Sequence, residues 1–187
     1  MSDPTGVRIR SAVPGDAEQV LAMIVELAVV ERAADEVLAT ESDLRATLFA
    51  AEPRVFCLIA EDTTPDLTGN MAPGLSMPEG SPAPSAIAGM AIWFLNYSTW
   101  HGRHGIYVED LYVRPQWRGR GVGTALLAAL AAECQRRGYS RLQWWVLDWN
   151  EPAIEFYRRI NAEAMSEWTV YRVSGPHLSA LAGAHRG

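Results

Sequence analysis

The chain is poor in cysteine, short of positive charge and free of long apolar runs, and each shortage removes a class of protein. Its only cysteines, Cys57 and Cys134, sit in apolar contexts, which excludes a disulfide scaffold and points to a reducing compartment. The net charge of −6 argues against nucleic acid, whose phosphates demand clustered Lys and Arg. An acidic surface suits a small cationic molecule better. No stretch approaches the ~20 apolar residues of a membrane span, and no apolar signal-peptide core follows the first residues. The expectation is a soluble, cytoplasmic protein with no membrane or nucleic-acid partner. The dinucleotide fingerprint G-x-G-x-x-G and the Gly-Lys-Ser/Thr ending of a P-loop are both missing. His101-Gly102-Arg103-His104 has no Cys or carboxylate pattern beside it, so no metal is expected.

What is present fits one domain over 1–187, because 187 residues can bury a real core and 49% hydrophobic with 20% charged content is ordinary. Val7-Arg8-Ile9-Arg10 alternates as a short strand. Pro14-Gly15-Asp16 turns into a helix capped by Asp16, with Val20, Ile24, Leu27 and Val30 on one face. Thr40-Glu41-Ser42-Asp43 reads as a capping box that opens a second helix carrying Leu44 and Leu48. Val55 to Ala60 is a buried strand, and Ile87 to Leu95 is its hairpin partner, with a bulge at Gly89. Between them, at about 62–85, lies a Pro/Gly-rich insertion whose composition predicts disorder. A third helix ends at Gly138, after Arg136-Arg137. Leu142 to Leu147 is near-continuously apolar, as a buried parallel strand would be, with Trp144 and Trp145 on opposite faces. Pro152 to Ile160 is a short helix ended by Asn161 at positive φ. Trp168 to Val173 is a last strand, and the tail after Gly175 is frayed. This order predicts an α/β fold with a mixed, mostly antiparallel sheet and one strand–helix–strand unit.

That unit carries the most informative residues. The strand Val108-Glu109-Asp110-Leu111-Tyr112-Val113 leads into Arg118-Gly119-Arg120-Gly121-Val122-Gly123, and a helix starts at Thr124-Ala125-Leu126. Glycines let consecutive N–H groups converge on one point, and a helix start adds the positive end of its dipole. The arrangement predicts an anion site, and a pyrophosphate is the natural guest.

Together with Val146-Leu147-Asp148-Trp149-Asn150-Glu151-Pro152 and Phe156-Tyr157 further on, these motifs resemble the GCN5-related N-acetyltransferases, and within them the diamine (spermidine/spermine-type) branch. The resemblance runs from about Val7 to Val173. It implies a single acetyltransferase domain whose sheet contains a splayed parallel strand pair. It also implies acetyl-CoA as cosubstrate, a small primary amine as acceptor, and a homodimer. By the same resemblance Arg118, Gly119, Arg120, Gly121, Val122, Gly123 and Thr124 would bind the pyrophosphate. Leu111, Tyr112 and Val113 would line the gap for the pantetheine arm, and Asn150 would contact the cofactor. Tyr157 would be the acid for the leaving thiolate, and Glu109 would handle the substrate amine.

An alkylamine of pKa ~10.4 loses its proton at pH 7 at a cost of about 4–5 kcal/mol, while a carboxylate of pKa ~4.3 is a poor acceptor for it. Glu109 therefore needs burial, Asp110 beside it, or a water chain to act. Tyr157, with pKa ~10, protonates a thiolate only as its charge develops. Tyr157 as a core aromatic, and Glu109 and Asp110 as an exposed charge and a structural partner, remain open readings. Two departures from the diamine branch weaken a long polyamine: Ser98-Thr99 replaces an acidic residue ahead of Trp100, and Ser166-Glu167-Trp168 leaves Glu167 alone for a distal amine. Glu26 and Glu31 on the first helix are the compensating candidates, with Asp110 as a further substrate contact. An aminoglycoside, a thialysine-like amino acid or a protein amine are alternative acceptors. A non-catalytic acyl-CoA-binding sensor is the rival from another class, and it would need neither Tyr157 nor Glu109.

Overall fold

The structure is a computed structural model that describes residues 5–63 and 86–186. The described chain divides into two compact units, Met1–Leu147 and Asp148–Gly187. In the first unit, strand β1 (Val7–Ser11) is followed by helices α1 (Ala17–Val30) and α2 (Glu41–Leu48). Strands β2 (Val55–Asp62), β3 (Ile87–Ser98) and β4 (Arg103–Val113), helix α3 (Val122–Arg137) and the short β5 (Leu142–Gln143) complete it. The five strands lie in sequence order in one sheet, antiparallel from β1 to β4 and parallel between β4 and β5. The α/β expectation, with its splayed parallel pair, is met. β4 and β5 pair only at Ile106–Leu142 and Tyr107–Gln143, so Leu111, Tyr112 and Val113 lie beyond the paired segment.

The elements form where local chemistry allows. α2 starts at Thr40, whose Oγ1 accepts from the Asp43 N–H at 3.2 Å while the Asp43 carboxylate accepts from the Thr40 N–H at 2.9 Å, the reciprocal box read from the sequence. α3 ends at Gly138 in the left-handed region (φ 67), where the Tyr139 N–H closes onto the Cys134 carbonyl at 2.8 Å. Asp16 precedes α1 but does not cap it with its side chain. Its carboxylate accepts from the Val13 N–H at 2.7 Å and from Arg10 at 2.7 and 2.9 Å. Arg10 also stands 3.1 Å from Glu61, which Arg8 grips as well. All 16 basic residues of the chain are arginine, so every such pair uses a guanidinium.

One side of the sheet packs α1 and α2 through Val20, Met23 and Leu48 onto Cys57, Ile59, Met90, Ile92 and Tyr112. α3 covers β3 and β4 from the other side with buried Leu126 and Leu130. Val30, expected on the buried face of α1, is 42% exposed at the last residue of the helix. The β2–β3 register slips between Ala60 and Glu61, beside Gly89 of β3, where a Cβ would lie 2.6 Å from the Tyr112 carbonyl. The close approach of two backbones explains the glycine.

Four expectations are corrected. The strand expected over Leu142 to Leu147 stops at Gln143, because its only ladder partners among the described residues are Ile106 and Tyr107; Trp145 instead sets its ring edge-on to Tyr107, 5.5 Å away. The insertion starts later than 62, since Asp62 closes β2 and the Thr63 N–H donates to the Gly6 carbonyl at 3.0 Å. The expected disorder falls at 64–85, outside the described residues. In the second unit, helix α4 (Glu151–Arg159) forms as read and Asn161 has φ 59, but 168–173 is not a strand. A strand needs a ladder partner, and among the described residues none pairs with this segment. The tail forms helix α5 (Gly175–Gly183), with Pro176 in its first turn, rather than fraying.

Candidate active site

The carboxylates of β4 are set by a bulge. Ile92 of β3 opposes Asp110 and Trp93 opposes Val108, so Glu109 has no counterpart on β3. The extra residue breaks the alternation that would have turned Glu109 and Asp110 to opposite faces as an ordinary pair. Directly opposed residues of an antiparallel ladder share a face, which places Cys57, Ile92 and Asp110 in one row on the α1 side. Cys57 and Ile92 are buried, Asp110 is half-buried, and Glu109 is exposed. Burial, then the neighbouring Glu109 and Glu31, push the Asp110 carboxyl up to about 6. Burial also raises Glu31, which caps the C-terminal end of α1, where the helix dipole adds further negative potential. The Cys57 thiol is pushed up to about 12 by burial, Asp16 and Asp110, against Arg10, and is thereby inert.

The glycine loop follows β4 through a short turn, Pro115–Trp117. Gly119 (φ 75) and Gly121 (φ 84) take left-handed backbone that glycine alone adopts freely, and none of the described residues lies within 4 Å of where a Cβ on Gly119 would sit. The first helical bond of α3 runs from the Ala125 N–H to the Gly121 carbonyl at 2.9 Å, so the N–H groups of Val122, Gly123 and Thr124 precede it. The flanking arginines are held in place: Arg118 Nε donates to the Val113 carbonyl at 2.9 Å with its guanidinium 5.7 Å from the centre of the Tyr112 ring, and Arg120 lies 4.8 Å from the Trp117 ring. An open cradle of donors between two anchored cations fits the pyrophosphate expected there.

Other expected contacts are engaged differently. Arg114 clasps Glu26 at 3.0 and 3.2 Å while donating to the Ile87 carbonyl and Gln19, both at 3.1 Å. Glu26 is thus committed to a cation of the chain itself. Tyr112 is buried in the α1-side core, its hydroxyl raised by burial and by Glu26, so its main chain rather than its ring faces the splayed gap. Leu111 and Val113 stay half-buried. Trp100 lies in the β3–β4 turn and is 86% exposed. From Arg103 the strand runs about 20 Å to Glu109, at ~3.4 Å per residue, so one chain does not bring Trp100 to the carboxylates. In the second unit, the Asn150 side chain accepts from the Ala153 N–H at 3.4 Å and caps α4. Tyr157 lies on that helix with its ring 5.2 Å from Phe156, and Glu167 sits in a turn closed by the Trp168 N–H onto the Met165 carbonyl at 3.1 Å. Sequence reading missed Arg114 as the partner of Glu26, 88 residues away. The bulge had a visible sign, two adjacent acids inside an apolar strand.

A strand that ends in an anion cradle, carries acids on a bulge and parts from its parallel neighbour defines a group-transfer enzyme of the acyl-CoA-using type. The sequence model of the Acetyltransferase (GNAT) family matches residues 75–161. The chain is similar to thialysine N-epsilon-acetyltransferase of Bos taurus, 37% identical over 180 residues that cover 95% of this chain and 98% of that protein. It is also similar to L-ornithine N5-acetyltransferase of Arabidopsis thaliana, 32% identical over 208 residues, covering 96% and 91%. Its fold matches a solved integron cassette protein from the mobile metagenome of V. cholerae with a TM-score of 0.68 at 22% identity, covering 95% and 98%. The chain belongs to the GNAT acetyltransferase family: it is an N-acetyltransferase, and the family's cosubstrate is acetyl-CoA. No helix among the described residues is long and apolar enough to cross a membrane.

Proposed function

We propose that this protein transfers an acetyl group from acetyl-CoA to a primary amine of a small cationic substrate of the diamine or polyamine type. The observation that carries this reading is β4 itself, which leads from acidic side chains at a bulge to an open cradle of N–H donors. Acetyl-CoA supplies an activated acetyl group. Arg118, Gly119, Arg120, Gly121, Val122, Gly123 and Thr124 would hold its pyrophosphate, the main chain of Leu111, Tyr112 and Val113 its pantetheine arm, and Asn150 would add a contact. The amine arrives as an ammonium at Glu109 and Asp110, loses a proton, and attacks the thioester carbonyl. Tyr157 gives the departing thiolate its proton. Glu167 and Glu31 are the acidic groups offered to a second amine. Likeness to enzymes named for thialysine and L-ornithine supports a second reading, an amino-acid side-chain amine as acceptor.

The reading further takes 1–187 as one acetyltransferase domain working in the cytoplasm as a homodimer. Two buried free cysteines suit a reducing compartment, and exposed Trp100 and Tyr97 at the hairpin end offer apolar surface that a second copy could cover. The test is a thiol-release assay with acetyl-CoA against spermidine, thialysine, L-ornithine, an aminoglycoside and a lysine peptide, run beside Tyr157→Phe. Release with a small di- or polyamine supports the proposal. Binding of acetyl-CoA without release by any amine makes the protein a sensor, and full kcat in Tyr157→Phe removes the acid assignment.

A further inference from the structure

We propose that Phe94, Tyr107 and Trp145 form an aromatic floor on the acceptor side of the sheet, and that this floor makes arylalkylamines a further class of acceptor. These are primary amines that carry an aryl ring two or three carbons from the nitrogen. The inference rests on the reading above, in which an ammonium is held at Glu109 and Asp110, and it adds the surface that meets the rest of the molecule.

The bulge builds the floor. Residues three apart on a regular strand face opposite sides, yet Tyr107 and Asp110 share one, because the unopposed Glu109 shifts the phase of β4 between them. Tyr107 stands opposite Phe94 and Asp110 opposite Ile92, and Phe94 lies two residues from Ile92 on β3, so both pairs point the same way. That way is the α1 side, since Val55, opposite Phe94 on β2, packs against the core beneath α1. β5 carries the row outward. It runs parallel to β4 with Gln143 beside Tyr107, so Trp145, two residues on, comes level with the bulge. The Phe94 and Tyr107 rings are 5.0 Å apart between centres, and Trp145 stands edge-on to Tyr107 at 5.5 Å. Phe94 and Tyr107 are half-buried and Trp145 is 55% exposed, which leaves ring surface open to a ligand.

The row gives a distal group no counter-charge. It consists of Val55, Phe94, Tyr107 and Gln143, and the Gln143 side-chain carbonyl accepts from Asn96 Nδ2 at 3.2 Å. Among the described residues a second ammonium meets no carboxylate in this row, whereas an aryl ring meets partners already set in the tilted and edge-on arrangements that aromatic pairs prefer. The acids hold the other end of the molecule. Two strand residues separate the Tyr107 row from the Asp110 row, about 7 Å at ~3.4 Å per residue, a span that a linker of two or three carbons crosses. The chemistry is ordinary acetyl transfer. The amine nitrogen forms the C–N bond as the C–S bond of acetyl-CoA breaks, and of the two protons the ammonium loses, one ends on the CoA sulfur and one in water.

The experiment measures thiol release from acetyl-CoA with phenethylamine, cyclohexylethylamine, butylamine and putrescine, with kcat/KM expressed per unprotonated amine. In the wild-type protein phenethylamine should exceed butylamine by at least about tenfold, the yield of burying most of an aryl ring. It should exceed cyclohexylethylamine by about 2–10-fold, the part that ring-on-ring geometry adds. Trp145→Leu should raise KM for phenethylamine more than for butylamine, so that the ratio of their kcat/KM values falls about 2–10-fold, while Trp145→Phe keeps most of that ratio. The exposed position of Trp145 spares the fold in both variants. Phenethylamine turned over no better than butylamine, or a ratio that Trp145→Leu leaves unchanged, overturns the aromatic floor, and turnover of putrescine in the same series leaves amine acetylation standing. A wild-type protein that acetylates none of the four overturns both.

Discussion

Replacing Asp110 with asparagine is expected to stabilise the fold at neutral pH, although the side chain lies at the centre of the proposed site. A carboxyl moved from 3.8 to about 6 has its ionised form disfavoured by about 3 kcal/mol, at ~1.4 kcal/mol per pKa unit. The asparagine amide is also half-buried without a partner, which returns about 1–2 kcal/mol of that gain. The net expectation at pH 7 is about 1–2 kcal/mol in favour of the variant, or about 2–8 °C in Tm for a chain of this size. The pH dependence carries the sharper test. Because the folded-state pKa lies above the unfolded one, the folded protein binds this proton more readily. The contribution of Asp110 to wild-type stability is therefore greatest below pH ~4, declines between ~4 and ~6, and is level above that window. The variant lacks this decline, so its advantage is absent at pH 4 and full by pH 7. Urea unfolding followed by the fluorescence of the seven tryptophans at pH 4, 5, 6, 7 and 8 reads both. A wild-type-minus-variant difference that stays constant across the series, or that favours aspartate at pH 8, would refute the burial argument.

Gly121→Val forces a branched side chain into the left-handed backbone (φ 84) at the start of α3, at about 1–2 kcal/mol or more, and against Thr5 at 3.3 Å. Acetyl-CoA affinity by calorimetry should fall at least tenfold, whereas unchanged affinity would remove the pyrophosphate assignment. Arg10→Ala strips the main cation from Asp16 and one of two from Glu61, so it should cost about 3 kcal/mol in urea unfolding. A loss below about 0.5 kcal/mol would mean the pair is solvated like a surface bridge.

Features governed by neighbours in sequence were legible, and those governed by distant partners were not. The left-handed glycines around Gly121 and Gly138, the Thr40–Asp43 box and the positive φ of Asn161 follow from what each residue permits locally. The glycine loop was readable for the same reason, since its chemistry lies in consecutive N–H groups. Glu26 looked free because its captor, Arg114, arrives from the far end of β4. Val108-Glu109-Asp110 announced two acids, but only the pairing with Ile92 and Trp93 separates their environments. Trp168 to Val173 read as a last strand from its own residues, and residue types do not supply the neighbour that would pair with them.

The all-arginine ion pairs bear on the chemistry in another way. A guanidinium stays protonated and is a very poor nucleophile toward a thioester, whereas a lysine side chain is itself a primary amine. With arginine in place of every lysine, no side chain of this enzyme is a primary amine that competes with its acceptor. The charges that clamp Asp16, Glu26 and Glu61 are equally out of reach of the acetyl donor. The framework is built from the one basic side chain that its own reaction leaves untouched, so its salt bridges hold whatever concentration of acetyl-CoA surrounds them.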